Sequence, residues 1–333
     1  MAFIVRTFRA LDGFVLAIIA AAVVASVAPA SGSAADVLRV VTIVGIALLF
    51  FLYGVRLSPS DALDGVKHWR LHSIVLLCTY LLFPLLGLGL RFLAPTVLTD
   101  DLYTGVLYLC LVPSTIQSSI AFTSIARGNV AGAVVSASLS NIVGVFMTPL
   151  LVVLLMTTTG NATVDPASIV TIVLQLLVPF VAGQLLRRWL AGWVSHHPAA
   201  TRLVDRGSIL LIVYGAFSAS RVQGVWGAIS PWRIVAVVIV CAVLLAAILG
   251  LTAVLGRLLR MEPADRIVVL FCGSKKSLAS GLPIASVLFA GHPVGVIVLP
   301  LLIFHQLQLV VCAVIAGRLG RRADLTDAAA STS

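Results

Sequence analysis

The sequence predicts an all-α membrane protein of ten spans, built as two inverted five-helix repeats, and three observations predict it. Of 333 residues, 60% are hydrophobic and 10% charged, whereas soluble domains are about half apolar and a quarter charged. Lysine and arginine are distributed over the intervening segments as a multi-pass chain requires. Two apolar runs at matching places in the two halves are interrupted by polar residues near mid-depth.

Apolar runs long enough to cross a bilayer, about 20 residues each, fall near 14–30, 38–55, 71–93, 103–126, 129–156, 166–186, 207–224, 233–256, 267–290 and 293–317. With the N-terminus inside, the cytoplasmic segments hold 16 Lys and Arg, among them Arg6, Arg9, Arg56, Lys67, Arg70, Arg187, Arg188 and Arg206. The outer segments hold 4, namely Arg39, Arg91, Arg221 and Arg233. This asymmetry fits ten spans with both termini cytoplasmic in the inner (plasma) membrane. Arg6, Arg9 and the run 14–28 also look like a secretory signal ending near Ala34 and Ala35. Retention is expected, because losing that segment would spoil the even count. The whole chain, 1–333, reads as one transmembrane domain: repeat one 1–160, repeat two 161–322, and a disordered tail 323–333.

The net charge of +10 thus reports topology, and no nucleic-acid partner is expected. The partners expected are the lipid bilayer, a small solute and a coupling ion, H⁺ or Na⁺. Cys78, Cys110, Cys241, Cys272 and Cys312 all fall in apolar runs, odd in number and without a CxxC pair. They read as small packing residues, not as a disulfide framework or zinc site. No hydrolase, Walker, zincin or dinucleotide motif is present, so neither catalytic residues, a cofactor nor a metal is expected.

Five spans per half put the second half into the membrane upside down. Gly128-Asn129-Val130-Ala131-Gly132 and Gly291-His292-Pro293-Val294-Gly295 stand at the start of the last span of each half, and GxxxG favours close helix packing. Span four carries Pro113-Ser114-Thr115-Ile116-Gln117-Ser118-Ser119, and span nine Gly273-Ser274-Lys275-Lys276-Ser277. Proline removes a donor and clashes with the preceding turn. Backbone groups freed at membrane depth persist only where protein or a watery cavity satisfies them. Ordinary kinked helices with Ser and Thr bonded to backbone would explain span four but not span nine. Each lysine at the bilayer centre costs on the order of 2.5–3.5 kcal/mol.

The twelve Asp and Glu all lie at span ends, loops or tails, so the intramembrane charge is positive. Half-helix N-termini beside Lys275 and Lys276 would attract an anion, which points to an organic anion as substrate. A lysine out of water can instead alternate between ammonium and amine, or stand where another protein binds sodium. Both lysines, Ser274, Ser277, Gln117, Ser118 and Ser119 are therefore candidate substrate- or ion-binding residues. Ser140 and Asn141, which share a helical face with Ser136, and His305 in span ten join them. For these last, plain interhelical hydrogen bonding is the competing reading.

Phe271-Cys272-Gly273-Ser274-Lys275-Lys276-Ser277-Leu278, Gly281-Leu282-Pro283, Phe289-Ala290-Gly291-His292 and Pro300-Leu301-Leu302-Ile303-Phe304-His305 resemble the bile acid:sodium symporter family. The resemblance is strongest to the branch with the seventh human member of that solute-carrier family and fungal calcium-homeostasis regulators. It covers almost the whole chain, with Tyr53-Gly54-Val55-Arg56-Leu57 and Ala126-Arg127-Gly128-Asn129 as weaker matches. It implies a panel domain of spans 1, 2, 6 and 7 and a core domain of spans 3–5 and 8–10, with the broken helices four and nine crossing. It also implies a departure. Phe271, Lys275 and Lys276 stand where sodium-binding members carry Glu, Gln and Asn. Ile120 replaces an Asn, and Ala133 and Ala137 replace hydroxyl residues. Sodium coupling is not expected, and Lys276 is the leading site residue.

The expected function is secondary transport of a small, anionic organic solute by alternating access, without enzymatic activity. A non-transporting membrane regulator of calcium homeostasis is the alternative, which predicts tolerance at Lys276. An intramembrane transferase would need a carboxylate or His pair at depth.

Overall fold

The computed structural model describes residues 13–56, 68–158 and 166–331. Arg6, Arg9, Lys67, the boundary between repeats at 160 and 161, and the last two tail residues lie outside the described residues. The described residues are helical nearly throughout, without a strand among them. In chain order the helices are α1 (Gly13–Val27), α2 (Ser33–Arg56), α3 (Trp69–Leu77), α4 (Phe83–Gly89), α5 (Asp100–Leu111), α6 (Ile116–Ile125) and α7 (Val130–Thr158). After these come α8 (Pro166–His196), α9 (Pro198–Val222), α10 (Pro231–Leu258), α11 (Pro263–Gly273), α12 (Leu278–Leu288) and α13 (Val294–Ser331). Helices α8 to α11 each open on proline, whose missing N–H has no intrahelical acceptor at that position anyway.

Helix stands at each of the ten expected places. Among the described residues seven helical stretches are long and apolar enough to cross a membrane, and eight if α5 and α6 count as one. Helix α1 is 15 residues long and α8 is 31. Two expectations shift. Helix α9 begins at Pro198, ahead of the expected 207, which brings Asp205 inside a candidate span. Helix α13 continues through Ser331, into the segment expected as a tail.

The chain forms two compact units. The first comprises residues 1–57, 153–231 and 282–299, which hold α1, α2, α8 and α9. Here α2 and α8 approach until a Cβ on Gly54 would strike the Phe180 carbonyl and one on Gly183 the Phe51 carbonyl. Any larger residue at either place would push the helices apart. Arg56 pairs with Asp205 at 2.7 Å, compensating the carboxylate inside α9. The Tyr214 hydroxyl and the Arg221 guanidinium donate to the carbonyls of Ala28 (2.9 Å) and Ser26 (3.2 Å), satisfying acceptors at the end of α1. The second glycine motif also packs closely within this unit. A Cβ on Gly295 would lie 2.7 Å from Ser220 Oγ.

The second unit comprises 58–152, 232–281 and 300–333 and contains both helix breaks. Its apolar centre includes Leu71, Val75, Cys78, Ala133, Ala137, Val268, Val269 and Cys272, with Ile120 packed against them. Asn129 ties the turn between α6 and α7 to the start of α11: its N–H donates to the Ala264 carbonyl (3.2 Å) and its Nδ2 to Asp265 Oδ1 (2.8 Å). A Cβ on Gly128 would lie 2.6 Å from Ile267, so the first glycine motif too marks close packing.

Candidate functional site at two helix breaks

The first break is written by Pro113. The residue before a proline is pushed out of the helical region, and Val112 is extended at φ −77°, ψ 156°. Thr115 is extended as well, and α5 and α6 meet at 61°. At the second break α11 ends at Gly273 and α12 starts at Leu278, yet the two count as one continuous span. Ser277 caps α12, its Oγ accepting from the Ser280 N–H at 3.2 Å. Ser274 Oγ turns back to the Leu270 carbonyl.

The two breaks satisfy each other. The Ser277 N–H donates to the Pro113 carbonyl (2.8 Å), Ser114 Oγ to the Cys272 carbonyl (2.7 Å) and Thr115 Oγ1 to the Lys276 carbonyl (2.8 Å). Ser119 Oγ donates to the Phe271 carbonyl at 3.4 Å. Asn141 spans both, its Nδ2 donating to the Ser114 carbonyl (2.7 Å) and its Oδ1 accepting from Ser280 Oγ (2.7 Å). Ser140 Oγ accepts the Ser114 N–H at 3.1 Å. Ser136, on the same helix, instead meets His72 Nδ1 at 2.7 Å.

The adjacent lysines are both fully buried but differ in surroundings. Lys276 Nζ donates to three carbonyls, those of Thr79 (3.0 Å), Cys110 (2.8 Å) and Val112 (2.8 Å), and lies 4.1 Å from the centre of the Phe83 ring. An ammonium has three hydrogens, and all are used. Each acceptor is free for a local reason. The Ser114 N–H that would close on Cys110 goes to Ser140, and Val112 is at the break. Thr79 lies in a π-turn, Cys78–Leu82, where the Phe83 N–H bonds to Cys78. The next residue, Pro84, has no N–H to offer. Lys275 Nζ, by contrast, has no hydrogen-bond partner among the described residues. It sits 3.7 Å above the Phe122 ring and 5.8 Å from that of Phe271.

Gln308 grips the Lys276 peptide at both ends, Oε1 accepting its N–H (2.9 Å) and Nε2 donating to its carbonyl (2.8 Å). That grip fixes which way the amide points, so Nε2 also donates to His305 Nδ1 at 2.9 Å. The neutral imidazole then carries its hydrogen on Nε2. His305 thus joins the cluster through Gln308. Of the remaining expected residues, Gln117 is exposed, and the Ser118 hydroxyl is buried without a hydrogen-bond partner among the described residues. Sequence reasoning missed Thr79, Gln308, Ser114 and Ser280 as parts of this network. Pro84, which leaves the Thr79 carbonyl unpaired, was the signal for the first.

Of the positions where the resemblance would seek sodium ligands, Ala133 and Ala137 belong to the apolar centre, Ile120 packs on it, Phe271 is buried, and two hold the lysines. The model of the SBF-like CPA transporter family matches residues 12–321. The chain belongs to the SBF-like CPA transporter family. An uncharacterized protein of Pseudomonas aeruginosa is 53% identical over 96% of each chain. YfeH of Escherichia coli strain K12, whose name proposes a symporter, is 44% identical over 98% of each. The sodium/bile acid cotransporter 7 of Rattus norvegicus is 26% identical over 91% of each. A membrane protein of a transporter family, with two helix breaks bonded to one another within one unit, is thus in hand.

Proposed function

We propose that this chain is a secondary transporter of a small anionic organic solute, working by alternating access without sodium. The observation that carries the reading is the Lys276 ammonium, held by three backbone carbonyls at 2.8–3.0 Å. A monovalent cation bound by carbonyl oxygens would make the same contacts, so the tethered ammonium does the work of an ion that never leaves. Concentrative uptake then draws on another gradient or on exchange. Ten spans in two inverted repeats, with both termini cytoplasmic in the inner membrane, is the architecture this reading adopts. It is supported by the sidedness of Lys and Arg and by interruptions in spans four and nine, at corresponding places of the two halves.

The test is uptake into proteoliposomes of radiolabelled organic anions in sodium and in choline media. The wild type is expected to transport equally in both, and Lys276→Met to reduce uptake to background. Undiminished uptake by Lys276→Met would overturn the proposal, and a regulator that moves nothing would leave both proteins inactive while keeping its physiological effect.

A further inference from the structure

Lys276 uses its three hydrogens on carbonyls; its neighbour has spent none on hydrogen bonds among the described residues. The Lys275 Nζ is fully buried against the face of Phe122, with Phe271 beyond. An aromatic face attracts a cation but leaves the three N–H donors without a directed acceptor, and a buried ammonium in that condition is costly. Two more polar atoms on α6 are buried and unpartnered among the described residues, Ser118 Oγ and Thr123 Oγ1. Ser118 lies one turn before Phe122, on the same face of α6. Cys272, Cys312 and His305 interact electrostatically with Lys275, and none of these is a carboxylate.

We infer that Lys275 Nζ is the contact for the negative charge of the solute, that the solute is an organic monoanion, and that the Phe122 ring must swing aside for it. The inference rests on the carrier reading for its purpose, though its chemistry is one of binding alone. Monovalency follows from the count of free ammonium donors. The hydrogens of Lys276 all go to carbonyls, so only the Lys275 ammonium is left to touch an anionic group. A dianion would bring a second anionic group into a buried site with no free ammonium to bond it. Phe122 and Phe271 supply flat apolar surface for the body of the solute, and Ser118 a further donor for a carboxylate or sulfonate oxygen.

The test is equilibrium binding and thermal unfolding of the full chain in detergent, with benzoate, benzyl alcohol and terephthalate as probes. Benzoate is expected to raise the unfolding temperature saturably. Benzyl alcohol, of the same shape without the charge, and terephthalate, with a second charge, bind at least tenfold more weakly. Lys275→Gln weakens benzoate at least tenfold while its unliganded unfolding temperature stays level or rises, and Lys275→Arg retains binding within a few-fold. Phe122→Leu removes the competing ring face and tightens benzoate severalfold. Benzoate binding that Lys275→Gln leaves unchanged, equal stabilisation by benzyl alcohol, or no stabilisation by benzoate would each overturn the inference. If Lys275→Gln does not fold, the Phe122→Leu and terephthalate results decide it. Lys275-dependent binding without uptake in proteoliposomes would sink the carrier reading and leave this contact standing. Uptake of benzoate unaffected at Lys275 would do the reverse.

Discussion

At 112–115 the chain turns through 61° and leaves carbonyls pointing into the protein; at 274–277 a span that still counts as one pauses and supplies donors. The first break gives the acceptors of Cys110, Val112 and Pro113, and the second gives the Lys276 ammonium and the Ser277 N–H. Each would be costly alone, because a buried polar group without a partner loses about 1–3 kcal/mol. Together they form a closed set. Within the second break the same contrast recurs between neighbours, Lys276 with all three hydrogens committed and Lys275 with none bonded among the described residues. An interrupted helix is therefore not a binding site by itself. What matters is which freed groups the partner break fails to satisfy.

The comparison breaks most readily at Lys276. Lys276→Met removes three charge-assisted hydrogen bonds and strands three carbonyls, and a loss of about 3–5 kcal/mol of stability is expected, read by denaturant or thermal unfolding. Gln308→Leu frees both ends of the Lys276 peptide and is expected to cost about 2 kcal/mol and to lower uptake without changing which anion is preferred. Asn141→Ala cuts the link that runs from the Ser114 carbonyl to Ser280. Single interhelical hydrogen bonds in membrane proteins are worth about 0.6 kcal/mol and at most about 1.7, so a loss near 1 kcal/mol should appear. Lys275→Gln sharpens the contrast by having the smallest effect. Its unfolding temperature should match or exceed that of the wild type, since the ammonium it removes holds no hydrogen bond among the described residues.

Much of this was legible in the residues. Pro113 and the Gly273-Ser274 pair announce the breaks because their backbone chemistry is local, and two lysines in an apolar run announce buried charge. The helices likewise follow from hydropathy, and a helix stands at each of the ten apolar runs. Division of labour between the lysines was not legible. At an irregular backbone, side-chain directions do not follow a helical period, so adjacent residues of one type can face unlike surroundings. The carbonyl of Thr79 was hidden for a different reason: every residue has one, and only the π-turn and Pro84 free it. Gln308 sits a turn beyond His305 and looked like another polar residue in span ten until its amide was seen holding both ends of one peptide.

The most direct measurement is the unfolding temperature of the purified wild-type chain in sodium chloride and in choline chloride at matched ionic strength. If the Lys276 ammonium occupies the place of a free cation, the two values coincide at every concentration. A saturable rise produced by sodium alone would contradict it.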